Sequence, residues 1–315
     1  MLSSKASFSS LNRMKTIITH SGNFHADDVF ATATLFLAYP DEELEITRTR
    51  DKEAIEAGDI VFDVGGVYDT KILRFDHHQE GGAGVRDNGL PYAAFGLVWK
   101  EFGAQICGGD FFIAKQIDDG IIAGMDATDN GVKIFDELYK ASPFEISQYV
   151  KAHNPTWREE DEWGEKADSE RLLIFKHLVI WAKEFLLREI KIHKDKNSAY
   201  ETVKKFYKES GDKRIIVLPR YYPSEDVLIE FPEPIFVIYP QSDGRAWAAK
   251  ALPKDKGSFE SRKPFPESWA GKMAKELADI TGVSDALFCH NKRFLATAVS
   301  REGAIKLAEL ALNSK

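Results

Sequence analysis

Three short apolar runs in the first 80 residues each end in imidazoles or carboxylates, and this pattern constrains the fold more than any other feature. Lys15-Thr16-Ile17-Ile18-Thr19 is β-branched and short, like a buried strand, and His20 closes it. A second run, Asp59-Ile60-Val61-Phe62, ends at Asp63 before a Gly65-Gly66 turn; a third, Ile72-Leu73-Arg74-Phe75, ends at Asp76-His77-His78. Beyond residues 21–24, apolar Val29, Ala33, Phe36 and Leu37 recur at helical spacing, which places His25 and Asp27 in or near a first helical turn. In open α/β sheets ligands bind outside the carboxyl ends of strands, where these residues fall if the strands are parallel. The expected fold is α/β, a mainly parallel sheet flanked by helices. The interval from Asp63 to Asp76 is too short for a helical crossover, so that strand pair is expected to be irregular or antiparallel.

The residue types point to a metal. Imidazole suits manganese, iron or zinc and carboxylate suits harder cations, so a mixed set over three strand ends matches a divalent metal held by an enzyme. A fourth contributor follows a run in which Ile113, Ile117, Ile121 and Met125 repeat every fourth residue before Asp126-Ala127-Thr128-Asp129-Asn130-Gly131. The Asn-Gly is a stop signal. Asp126 and Asp129, three apart, share a face if the helix reaches that far, and spacing does not choose between them. Singly, a histidine at a strand end is ordinarily a surface or core residue, and acids such as Asp27 and Asp28 ordinarily cap a helix. Their occurrence together in this order is what singles out a metal site.

On Thr19-His20-Ser21-Gly22-Asn23-Phe24-His25-Ala26-Asp27, Phe62-Asp63-Val64-Gly65-Gly66-Val67-Tyr68-Asp69 and Arg74-Phe75-Asp76-His77-His78-Gln79, the chain resembles the melanocyte-proliferating-gene exonuclease family. That family, once labelled metal-dependent protein hydrolases, belongs to the DHH phosphoesterase superfamily. Looser family-like segments are residues 258–263, 266–269 and 288–304, with Ala270 standing where a basic residue is expected and residues 291–295 replacing a glycine-richer run. The resemblance implies a DHH-type sheet, a smaller α/β C-terminal domain and two divalent ions, Mn²⁺ or Mg²⁺. By it, His20, His25 and Asp63 hold one ion, while Asp27, Asp63, His77 and Asp126 hold the other. His78 would face the substrate, and Asp76 would support the neighbouring imidazoles. Arg262, Lys263 and His290 would bind substrate. The implied activity is 3′–5′ exonucleolytic cleavage of RNA or a short oligonucleotide. The alternative is a small-molecule phosphohydrolase acting on pyrophosphate, a cyclic dinucleotide or a nucleotide phosphate. A non-catalytic metal-binding scaffold fits the ligand set poorly, and peptide hydrolysis lacks a His-Glu-x-x-His.

The remainder of the chain bounds this reading. Its 315 residues, 43% hydrophobic and 29% charged, suffice for two domains. The expected boundaries are a flexible extension over 1–13, a metal-binding domain over 14–185, a helical connector over 186–211 and a substrate-binding domain over 212–315. Residues 141–167 read as an insertion or lid. Residues 1–13 are serine-rich and lack acids, and read either as an organelle-targeting segment or as an extension before a start at Met14. No apolar run approaches a membrane span of roughly 20 residues. Two cysteines, Cys107 and Cys289, argue against a disulfide scaffold and fit a reducing compartment, the cytoplasm or, in a eukaryote, the mitochondrion or nucleus. Residues 241–315 carry 13 Lys+Arg against 9 Asp+Glu, a net of +4, which leaves −12 for the rest of a chain of net −8. Such a chain does not coat duplex DNA nonspecifically. An exonuclease needs stacking surfaces, for which Trp247, Phe259, Phe265 and Trp269 are candidates. The oligomeric state is open, a homodimer included.

Overall fold

Ile17, Ile18 and Thr19 are buried, and the strand that their β-branched run predicts is present in the computed structural model, which describes residues 14–136 and 143–314. The expected extension over 1–13 and the first two residues of the expected insertion lie outside the described residues. The chain divides into two compact units, Met1–His193 and Lys194–Lys315, inside the segment expected to be a connector.

In the first unit, β1 (Lys15–Thr19) leads through α1 (Ala26–Ala38) to β2 (Leu44–Arg48). The chain returns through α2 (Lys52–Ala57) to β3 (Ile60–Phe62), then β4 (Tyr68–Asp69) and β5 (Arg74–Phe75). The sheet order is β2-β1-β3-β5-β4, with every neighbouring pair parallel except β5 and β4. Because β2 lies on one side of β1 and β3 on the other, the carboxyl end of β1 is a topological switch point.

The third run corrects one expectation. Thr70–Ile72 forms a 3-10 turn closed by the Leu73 N–H on the Thr70 carbonyl, so only Arg74 and Phe75 pair with β3. The pair of β3 and β5, expected to be irregular or antiparallel, is parallel, and the antiparallel strand is the intervening β4. The chain passes β3, turns through this edge strand and comes back between the two, so β3 and β5 are parallel without a helical crossover.

Helices α3 (Ala94–Ile106), α4 (Phe111–Ile117), α5 (Ala123–Asp129), α6 (Ile146–Lys151), α7 (Trp157–Trp163) and α8 (Ala167–Glu209) follow. Phe30, Phe62, Phe75, Phe95, Val98 and Ile117 share the core of this unit. A π-helical turn, Asp118–Ile122, joins α4 to α5. Its wider turn breaks the every-fourth-residue repeat: Ile113 and Ile117 are buried, but the next buried position is Ile122 in place of Ile121.

The second unit contains β6 (Ile215–Val217), α9 (Glu225–Leu228), β7 (Phe236–Pro240), β8 (Trp247–Ala251), α10 (Ala274–Thr281), β9 (Ala286–Cys289), β10 (Leu295–Ala298) and α11 (Arg301–Asn313). Its sheet order is β6-β7-β8-β10-β9; only β6 and β7 are parallel. Strand alternation supplies two clusters. Ile215, Phe236 and Ile238 join Leu277 and Leu307, while Ile216 and Val237 join Val203 and Leu228. Among the described residues no helix is long and apolar enough to cross a membrane.

Candidate metal centre

His20, at the end of β1, is buried with Nδ1 3.0 Å from the Ser21 carbonyl oxygen. That contact orients Nε2 toward Asp63 Oδ2 at 3.2 Å and Asp28 Oδ2 at 3.4 Å. His25 is the N-cap of α1; its exposed ring lies 5.5 Å from that of His20, with Nδ1 3.9 Å from Asp129 Oδ1.

Asp63, at the end of β3, has φ 56°. The left-handed conformation is tolerated best by Asp and Asn among residues with a side chain, and it occurs at a strand end where a ligand must be aimed. The two oxygens of Asp63 face different histidines, Oδ2 toward His20 and Oδ1 toward His77 Nε2 at 3.4 Å. His77 Nε2 also lies 3.3 Å from Asp129 Oδ2, and its Nδ1 lies 3.4 Å from Asn130 Oδ1. Asn130 donates to the Asp126 carbonyl oxygen at 2.8 Å, so the residue read as a helix stop also steers His77.

Asp27 is buried at the amino end of α3, whose N-cap, Ala93, has no side-chain acceptor. The Ala94 and Phe95 N–H groups donate instead to Asp27, at 3.0 and 2.7 Å. The carboxylate thus satisfies donors that a helix start leaves free. Asp76 accepts from the backbone of Gly66, His77 and His78 and from His78 Nδ1 at 2.7 Å. The His78 side chain is 61% exposed, which leaves its far nitrogen open to a ligand.

Among the described residues, three sets of side chains present ligand atoms close enough to share an ion: His20, His25 and Asp63; Asp27, His77 and Asp129; and Asp63, Asp76, His77 and His78. Asp126 is directed elsewhere. Its Oδ2 lies 2.8 Å from Arg86 Nη2 and its Oδ1 accepts from the Gly96 N–H at 3.2 Å. Arg86, which sequence reading did not single out, is buried and also pairs with Asp118 at 2.7 Å. Arg48, likewise unforeseen, lies 4.7 Å from the Phe175 ring centroid and directs Nη2 to Asp28 Oδ2 at 3.3 Å.

Electrostatics separate these acids. Burial opposes the charge on Asp63, but His20 and His77 outweigh it and hold its pKa well below the carboxylate range. Asp27 goes the other way, its pKa raised by burial and then by repulsion from Asp63, Asp129 and Asp126. Burial likewise raises Asp129, with Asp63 adding repulsion. Asp28 is pushed up to about 7 by burial, against His20 and Arg48. A cluster of buried acids that repel one another is short of positive charge. Two of its buried atoms, Asp63 Oδ2 and His77 Nε2, have no hydrogen-bond partner among the described residues. Both carry lone pairs, so the donor set fits divalent cations.

In the second unit, Arg262 donates to the carbonyl oxygens of Phe231, Pro234 and Ile229 at 2.6 to 2.9 Å. Lys263 Nζ donates to the carbonyls of Leu312 and Ser314 at the end of α11. His290 is half-buried, accepts from the Lys292 N–H and lies 4.4 Å from the Phe294 ring. Phe265 and Trp269 belong to the core, Trp247 packs beside it, and Phe259 is fully exposed.

Fold and site together define a two-unit α/β protein with a histidine–carboxylate cluster at a sheet switch point, suited to divalent metal. Comparison places it more closely. A family model, MYG1_exonuc, described as "Uncharacterised protein family (UPF0160)", matches residues 16–312, and the chain belongs to this family. It is 30% identical to the MYG1 protein of Dictyostelium discoideum over 95% of this chain and 96% of that one. It is 31% identical to the MYG1 protein of Chlamydia pneumoniae over 96% and 98%. It is 29% identical to the MYG1 exonuclease of Homo sapiens over 98% and 88%.

Proposed function

We propose that this chain is a divalent-metal-dependent phosphodiesterase, a 3′–5′ exonuclease acting on RNA or a short oligonucleotide, with a dinuclear centre in the first unit and substrate binding in the second. The observation that carries the reading is Asp63, one carboxylate facing two separate imidazoles with opposite oxygens. Such a group is suited to bridge two ions. In this reading His20, His25 and Asp63 hold one, and Asp27, Asp63, His77 and Asp129 hold the other. Asp129 takes the place that the resemblance gives to Asp126, because Asp126 is engaged by Arg86 and Asp129 by His77. The imidazole share favours Mn²⁺ over Mg²⁺. Bound there, the ions would supply Lewis acidity toward phosphoryl oxygens and an acidified water.

The chain's own residues supply the rest. The hydrogen bond that His78 Nδ1 donates to Asp76, the largest influence on His78, raises the pKa of this imidazole. Asp76 holds Nδ1–H, so the exposed Nε2 bears a lone pair in the neutral ring and a proton only in the imidazolium, the form that Asp76 favours and that can hydrogen-bond a phosphoryl oxygen or the departing oxygen. The exonuclease names of the mammalian relatives support a nucleic-acid polymer as substrate.

The test is release of mononucleotides from 3′- and 5′-labelled single-stranded RNA and DNA by EDTA-stripped protein, with Mn²⁺, Mg²⁺ or neither. Asp63→Asn is the control, since Asn also tolerates the left-handed backbone. Laddering from the 3′ end of RNA, dependent on metal and lost in the variant, is expected. Wild-type rates from Asp63→Asn would overturn the bridging role. No cleavage of either polymer with metal bound would replace the reading with the small-molecule phosphohydrolase.

A further inference from the structure

The second unit contains a cavity of about 430 Å³ whose lining includes Asp226, Lys250, Lys256, Ser258, Phe259 and Phe294. None of these was placed in the metal centre. Of the aromatic candidates for stacking, Phe265 and Trp269 are consumed by the core, whereas Phe259 stands fully exposed at the cavity. Its loop is held in place: Pro253 and Ser261 form a bridge across its base, and the Lys254 N–H donates to the Glu260 carbonyl at 2.8 Å. An apolar ring fixed in water forgoes the gain of burial unless something covers it.

We propose that this cavity binds one unstacked nucleotide of a single strand, with its base against Phe259 and Phe294 and its phosphate on Lys256. This rests on the nucleic-acid reading above and extends it to a named subsite. The charges suit a nucleotide better than a run of phosphates. Lys250 is neutralised by Glu225, while Lys256 has no ion-pair partner among the described residues. One free cation accommodates one phosphate. Asp226 is an acceptor for a base amino group or a ribose hydroxyl, and its charge repels a second phosphate. Phe294 is already backed by His290, so its ring enters the site braced. Base–aromatic stacking is indifferent to sequence, as an exonuclease requires.

The experiment uses the full chain, stripped of metal with EDTA so that nothing is cleaved, and measures equilibrium binding of a fluorescein-labelled adenosine pentaribonucleotide and of unlabelled AMP. Phe259→Ala should weaken both by roughly tenfold, the scale of one lost stacking contact. Lys256→Gln should weaken both and flatten the salt dependence by about one phosphate contact. Both positions are exposed, so both variants should fold, which thermal melts would check. No binding by the unaltered chain, or unaltered affinity in both variants, would overturn the subsite. Metal-dependent hydrolysis of bis-p-nitrophenyl phosphate by the unaltered chain, which needs no base, tests the phosphodiesterase reading separately. Either idea can therefore fail alone.

Discussion

At the scale of single residues, Asp126 and Asp129 show how burial and partners divide two similar acids on one helix. Asp126 is fully buried against Arg86, and removing its charge leaves a buried guanidinium with Asp118 alone. Breaking a buried pair of this kind costs roughly 3 kcal/mol. Asp126→Asn should therefore lower the urea midpoint of the metal-free protein, while Asp129→Asn should leave it nearly unchanged and weaken Mn²⁺ binding at least about tenfold. Calorimetric titration and urea unfolding of both variants check this, and the reverse pattern would return Asp126 to the metal. A second prediction concerns alkali. Burial, opposed only by Arg293, pushes the Cys289 thiol up to about 11 from an ordinary value near 9. The unfolded chain ionises this thiol first, so its contribution is intact below about pH 9 and is lost as pH climbs toward 11. Tyr239, pushed up to about 12 by burial, continues the same trend above pH 10. Melting temperatures measured between pH 8 and 10.5 should fall less steeply for Cys289→Ala than for the unaltered chain.

At the scale of elements, the centre depends on how closely helices approach. A Cβ at Gly96 in α3 would stand 1.9 Å from Asp126 Oδ2 and 2.6 Å from Arg86 Nη2. Neither atom can yield without breaking the pair of Arg86 with Asp126, which ties α5 to the loop before α3. Gly96→Ala should cost more than about 1–3 kcal/mol, the usual price of overpacking. Gly120, in the π-helical turn, has nothing among the described residues within 4 Å of an added Cβ. Gly120→Ala should be neutral or stabilise by up to about 1 kcal/mol, as helical Gly-to-Ala replacements do. Equal urea midpoints for the two variants would show that α3 moves aside freely.

For the whole molecule, metal binding should be a stability term, because the strand ends assemble the ligands only in the folded state. Mn²⁺ at 100 times its dissociation constant should add about 2.7 kcal/mol, reversed by EDTA. Hydrogen exchange should show the added protection over residues 20–28 and 63–78; an unmoved melting temperature would sink the centre. Much of the first unit was legible because its cause is local. The β-branched run before His20, the apolar run before Asp63 and the helical spacing after His25 each describe one buried element end. Helix α3 in the first unit and the hairpin of β9 and β10 in the second were not legible, because they carry no cue that was recognised as theirs. The sequence by itself determined which histidines and carboxylates stand at strand ends, and so that this chain carries a metal-type cluster. Only the tertiary structure decided that Asp129 lies with His77 while Asp126 turns to Arg86, 40 positions earlier in the chain. It also spent Arg262 and Lys263 on backbone carbonyls. A side chain's partner depends on what distant segments bring within a few ångströms, and spacing along the chain does not record that.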